Sequence, residues 1–150
     1  MMMKYLFPDI IGNNYKGNKI PLYLFYLLTP FTIIRSVIHI FSPDGGAQSI
    51  ATIPLHLYPE NASDTIIHLF ALWGLSQFLF GLLYIIVLIK YRSLIPLMYL
   101  FLIVEYSTRL FLGFYKPFVL EGVAPGGIGN YFLVPLVMVM FFLSIQNKRQ

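Results

Sequence analysis

Residues 66–114 read IIHLFALWGLSQFLFGLLYIIVLIKYRSLIPLMYLFLIVEYSTRLFLGF, and this stretch decides the fold. Two apolar runs, 66–89 and 94–114, flank a short basic turn that holds Lys90 and Arg92. A helix needs about 20 mostly apolar residues to cross the hydrocarbon core of a bilayer, and each run supplies them. Lipid offers no water to backbone amides, so such runs close their hydrogen bonds within a helix. Two further runs, 21–41 and 128–145, repeat the pattern. The sequence therefore predicts an all-α fold, an integral membrane four-helix bundle with 1–150 as one four-span domain.

Composition narrows the class. The chain is 58% hydrophobic and 11% charged, whereas soluble domains carry about 25% charged residues, so a water-soluble globule is a poor fit. The formal charge of +4 does not imply a nucleic-acid partner, because the basic residues sit in short flanks of the apolar runs rather than on one surface. Without cysteine there is no disulfide, thiolate metal site or thiol nucleophile. Residues 1–7 hold one lysine and no apolar run long enough for a cleavable signal, so the first span is expected to insert uncleaved.

Charge asymmetry gives a direction. Lys4, Lys16 and Lys19 precede the first run, Lys90 and Arg92 fill the central turn, and Lys148 and Arg149 follow the last run. Lys116 is the one Lys or Arg in the other two loops, 42–64 and 115–127. The positive-inside bias then puts the N and C termini in the cytoplasm. Four spans return the chain to the side it started from, so parity and charge agree. The expected location is a multi-pass protein of a bacterial cytoplasmic membrane. In architecture the chain resembles small four-span bacterial families, the DoxX-like group among them, and no residue role is carried over from any. Pro30 is expected to kink the first span, Pro96 and Pro135 to lie near helix starts, and Pro125-Gly126-Gly127 to form a turn.

The spans are not uniformly apolar. At 100° per residue Thr29, Thr32, Arg35, Ser36 and His39 fall within an arc of about 120° on the first span. Such a stripe should face the bundle interior. On the third span Glu105 and Arg109 stand four apart, the spacing at which side chains on one helix face meet. An Arg or Asp near the centre of a span costs about 2.5 to 3.5 kcal/mol, so these residues need partners. Arg35, Arg109 and Glu105 together leave +1, to be balanced by a carboxylate of the acidic 42–64 loop or by an anionic ligand. On the second span Gly74, Gln77, Gly81 and Tyr84 share a broad face with Trp73, while His68 points the other way. The two glycines read as close-packing positions. His39, His56 and His68 lack compact metal-ligand spacing, and no hydrolase or nucleotide-binding motif is present, so neither cofactor nor metal is expected.

The leading expectation is a binding or carrier protein with a polar pocket in the outward half. Its ligand would be an anionic small molecule or a membrane lipid headgroup, held by Arg35, His39, Gln77, Glu105 and Arg109. Arginine suits this because its planar fork stays charged and grips carboxylate or phosphate bidentately. The alternative is an accessory or assembly subunit that meets a membrane protein partner and uses the polar cluster structurally. Catalysis by Glu105 and His39 ranks third, since the two lie at different depths and proton transfer needs hydrogen-bond reach to one substrate.

Overall fold

The computed structural model describes residues 3–146. Within them lie five helices and no strand: α1 (Met3–Leu6), α2 (Lys19–Phe41), α3 (Glu60–Lys90), α4 (Ile95–Tyr115) and α5 (Pro125–Ser144). Helices α2 to α5 are each long and apolar enough to cross a membrane. Their middles turn large side chains such as Leu27, Ile34, Leu79, Phe111 and Phe132 outward. In water a surface of that kind would be an aggregation liability; facing lipid it is the ordinary solution.

Local chemistry sets the helix ends. The Asn18 side chain accepts a hydrogen bond from the Ile20 N–H and so caps α2. Helix α3 begins already at Glu60, ahead of the apolar run at 66, because Pro59 stops the preceding loop and Glu60 complements the helix N-terminus. Its 31 residues rise about 46 Å, more than the thickness of a hydrocarbon core, about 30 Å, and its polar residues gather in the first turns. Two expectations are corrected at α5. Pro125-Gly126-Gly127 is the first turn of the helix rather than a separate turn, with Pro125 in the position where a missing N–H costs nothing. Pro135 consequently lies in the helix interior and not near its start. Helix α2 runs unbroken through Pro30.

The hydroxyls of the α2 stripe are buried and turned back on their own helix. Thr29, Thr32 and Ser36 donate to the carbonyls of Phe25, Leu28 and Thr32 at 2.8, 2.9 and 2.6 Å. These bonds satisfy the hydroxyls without a ligand. Helix α2 packs mainly on α3, and α4 on α5, while α3 and α4 touch each other little. Gly74 explains the first pairing: a Cβ there would lie 2.7 Å from the Cβ of His39 and 3.1 Å from the Ser36 carbonyl.

The two ends of the bundle differ. At the terminal end the segment before α2 runs beneath the helices. Gly12 and Ser93 exchange hydrogen bonds, Ser93 N–H to the Gly12 carbonyl and Gly12 N–H to the Ser93 hydroxyl, both at 3.0 Å. Asn18 N–H donates to the Leu143 carbonyl at 3.2 Å, and Tyr99 donates to the Pro21 carbonyl at 2.7 Å. The apolar core, including Phe25, Tyr84, Val87, Met98, Tyr99, Val137 and Phe141, gathers at this end. Burial there pushes the Tyr15 phenol above its ordinary pKa.

At the loop end, residues 42–59 meet the α4–α5 connection. Glu121 N–H donates to the Thr52 carbonyl at 3.0 Å, and His56 lies 3.2 Å from Glu121 across an exposed pair. Thr52 holds a left-handed φ of 59°, which a branched side chain rarely adopts. Asp44 organises the preceding turns: its carboxylate accepts from the Ser42 hydroxyl and from the N–H groups of Gly46, Gln48 and Ser49. Partial burial raises its pKa, but the bonds from Ser49, Gly46 and Ser42 outweigh that and hold it well below the carboxylate range.

Candidate functional site around Trp73

Trp73 of α3 gathers polar residues from three helices. The Arg109 guanidinium of α4 lies 4.8 Å from the Trp73 ring centroid, and the Arg35 guanidinium of α2 lies 6.0 Å from it. Cations over an indole face gain about 0.5 to 2 kcal/mol, more as water is excluded. The His39 ring sits 4.7 Å from Trp73 by centroids and 5.8 Å from Phe70. Phe31 and Tyr106 flank the two arginines, each at 5.9 Å.

Hydrogen bonds fix the orientation. Arg35 Nε donates to Gln77 Oε1 at 2.9 Å. Within α4, Arg109 Nη2 pairs with Oε1 of Glu105, one helical turn earlier. His39 is buried, and its Nδ1 donates to the Gly45 carbonyl at 2.7 Å. That bond ties α2 to the loop, where Gly45 can take its left-handed φ of 59° because it lacks a Cβ. Asp44 is fully used by its own turn, and among the described residues Arg35 has no carboxylate within 4 Å. The local charge of Arg35, Arg109 and Glu105 therefore stays at +1.

Beside this cluster a cavity of about 380 Å³ opens between α3 and α4. Trp73, Ser76, Gln77, Glu105 and Arg109 line one part, and Phe80, Tyr84, Phe101 and Val104 the other. Of the five residues singled out in the sequence, Gln77, Glu105 and Arg109 line the cavity. Arg35 and His39 do not line it: Arg35 reaches the lining through its bond to Gln77 and through Trp73, His39 through Trp73. The structure does not bring Glu105 and His39 into hydrogen-bond contact; each is engaged with another partner. Glu60 opens α3 about three and a half turns before Trp73, away from the cluster.

Two features were not anticipated: Trp73 as the hub, and the aromatic wall of Phe80, Tyr84 and Phe101. The signal for the first was present, since Trp73 is the one tryptophan of the chain and precedes Gln77 by one helical turn. Of the wall, Tyr84 was on the expected face with Gln77, but nothing singled out Phe80 and Phe101, as phenylalanine occurs on every face. Among the described residues no group of three or more His, Asp or Glu side chains is placed to hold a metal ion. Comparison with known protein families, with curated proteins and with solved structures finds no match to this chain.

Proposed function

We propose that this chain is a multi-pass membrane protein with both termini in the cytoplasm, whose α3–α4 cavity binds or carries an anionic small molecule or lipid headgroup. One observation carries the reading: Arg35 and Arg109 converge on Trp73 while Glu105 is the one carboxylate paired with either among the described residues. Two guanidinium groups in a low-dielectric setting with one countercharge favour an anion. Glu105 orients Arg109 toward the cavity, Gln77 orients Arg35, and His39 packs against Trp73. Arg35→Gln and Arg109→Gln are each expected to release an anion retained by the wild-type protein in native mass spectrometry, with helical content unchanged. Retention of the same mass by both variants would sink the reading. The orientation is tested separately: an impermeant amine label added to intact cells should not reach Lys90.

A second reading, an accessory subunit of a membrane complex, is favoured by Gly113, Gly126 and Gly127. A Cβ at any of them would meet nothing within 4 Å, which leaves bare helix backbone for another helix to approach. Purification in mild detergent as a stable monomer that keeps its bound anion would count against it.

A further inference from the structure

Gln77 is buried, 5% exposed, and lines the cavity, yet its Nε2 has no hydrogen-bond partner. The amide cannot be turned round to cure this. An arginine has only donors, so Arg35 requires the Oε1 side of Gln77, and the NH₂ is left as an obligatory donor. A buried donor without a partner costs about 1 to 3 kcal/mol. The Gln77 Nε2 is covered, so an occupant oxygen recovers this cost by displacing the side chains that cover it.

The rest of the wall selects the body that carries this oxygen. Phe80, Phe101 and Val104 line the cavity and are also 47%, 43% and 57% exposed, in the middles of apolar helices. In a bilayer such residues face acyl chains, so the cavity opens sideways. Charge limits the head: +1 from Arg35, Arg109 and Glu105 is neutralised by a monoanion, whereas a phosphate monoester would overshoot it. Volume limits the body, since about 380 Å³ lies near the small end of the roughly 300–1,000 Å³ of ligand sites.

Resting on the anion reading above, we propose that the cavity takes a single-chain carboxylate amphiphile, of fatty-acid type, from within the bilayer. One carboxylate oxygen accepts from Gln77 Nε2 and the other faces Arg109, with Arg35 adding its charge through Gln77, while the chain lies along Phe80, Tyr84 and Phe101.

Trp73, the one tryptophan in the sequence, reports on the site directly, because bromine quenches indole fluorescence on contact. The full chain is placed in dioleoylphosphatidylcholine nanodiscs and titrated with dibromostearate, with dibromoacetate, and with dibrominated phosphatidylglycerol or phosphatidylcholine replacing the bulk lipid. Dibromostearate is expected to quench saturably, beyond the level given by dibrominated phosphatidylcholine, and unbrominated oleate to reverse it. Gln77→Glu preserves the acceptor for Arg35 but removes the donor and the surplus charge. It should weaken dibromostearate binding about tenfold or more, the size of a hydrogen bond to a charged group. Phe101→Ala, at an exposed position where folding is not at stake, should weaken it severalfold.

Equal quenching by dibromoacetate would overturn the requirement for a chain. Saturable quenching by dibrominated phosphatidylglycerol with none by dibromostearate would overturn this proposal and leave the anion reading standing. If no anionic probe exceeds phosphatidylcholine, both fall.

Discussion

At the terminal end of the bundle all four long helices contribute to one core, with Phe25 edge-on to Tyr84 at 5.0 Å and tilted against Tyr99 at 5.9 Å. At the loop end only α2 and α3 stay closely packed, and the first turns of α5 and the last of α4 stand largely exposed. The difference is plain at the two crossings. Gly74 lets α2 and α3 approach where the loops begin, whereas α3 and α4 touch little and leave a cavity lined by Trp73, Phe80 and Phe101. A short turn, 91–94, joins α3 and α4, so sequence proximity and packing are uncoupled here. The helices nearest in the chain are the ones with a cavity between them.

Removing the closed end should have the largest effect. Phe25→Ala, at a site with no exposure, is expected to cost about 3 kcal/mol, read as a lowered midpoint in denaturant-induced unfolding from mixed micelles. A smaller loss than that from an exposed truncation such as Phe114→Ala would overturn the contrast between the ends. Next comes the α2–α3 crossing. Gly74→Ala puts a methyl against the His39 Cβ and the Ser36 carbonyl, neither of which can rotate away, for about 1 to 3 kcal/mol. Gly81→Ala meets the end of the Ile33 side chain instead and should cost clearly less in the same assay.

The loop end responds to acid before the core does. Asp44 has a folded pKa held below its unfolded one, so its carboxylate stabilises the loop fully above about pH 4, and that contribution disappears as pH falls through the lower, folded value. Amide exchange in the 42–53 turns should be unchanged from pH 7 to about pH 5 after correction for intrinsic rates. Asp44→Ala should cost about 0.5 to 2 kcal/mol at neutral pH, as lost caps do. Smallest is the pair His56–Glu121, exposed on both sides, where Glu121→Gln should change stability by less than about 1 kcal/mol. A larger loss would mean that the loops are joined mainly by this pair and not by the Thr52–Glu121 backbone bond.

The four long helices were legible because runs of apolar residues, interrupted by Lys90 and Arg92 or by polar loop segments, admit few other folds in lipid. The close approach at Gly74 was legible too, as were the buried hydroxyls of α2, since both follow from helical periodicity. What escaped was non-local or shared by many residues. The bonds between Gly12 and Ser93 join positions 81 apart and have no counterpart in local pattern. Pro135 was misplaced because Pro125 at a helix start and Pro125 in a turn look alike until the backbone beyond it is seen. At the site, the ionisable residues stood out against an apolar background and Trp73 and Tyr84 shared the face of Gln77, but with 17% aromatic residues Phe80 and Phe101 did not stand out. Nor did the sequence reveal that Asp44 would be consumed by its own turn and leave Arg35 without it.

The strap beneath the terminal end bears on the order of events during synthesis. Residues 12–18 are made well before their partners Ser93 and Leu143. Asn18 therefore waits for all four long helices before its N–H finds the Leu143 carbonyl. Closure of this end marks an assembled bundle, and a nascent chain stalled before α5 should expose residues 12–18 to a quality-control protease that the closed bundle resists.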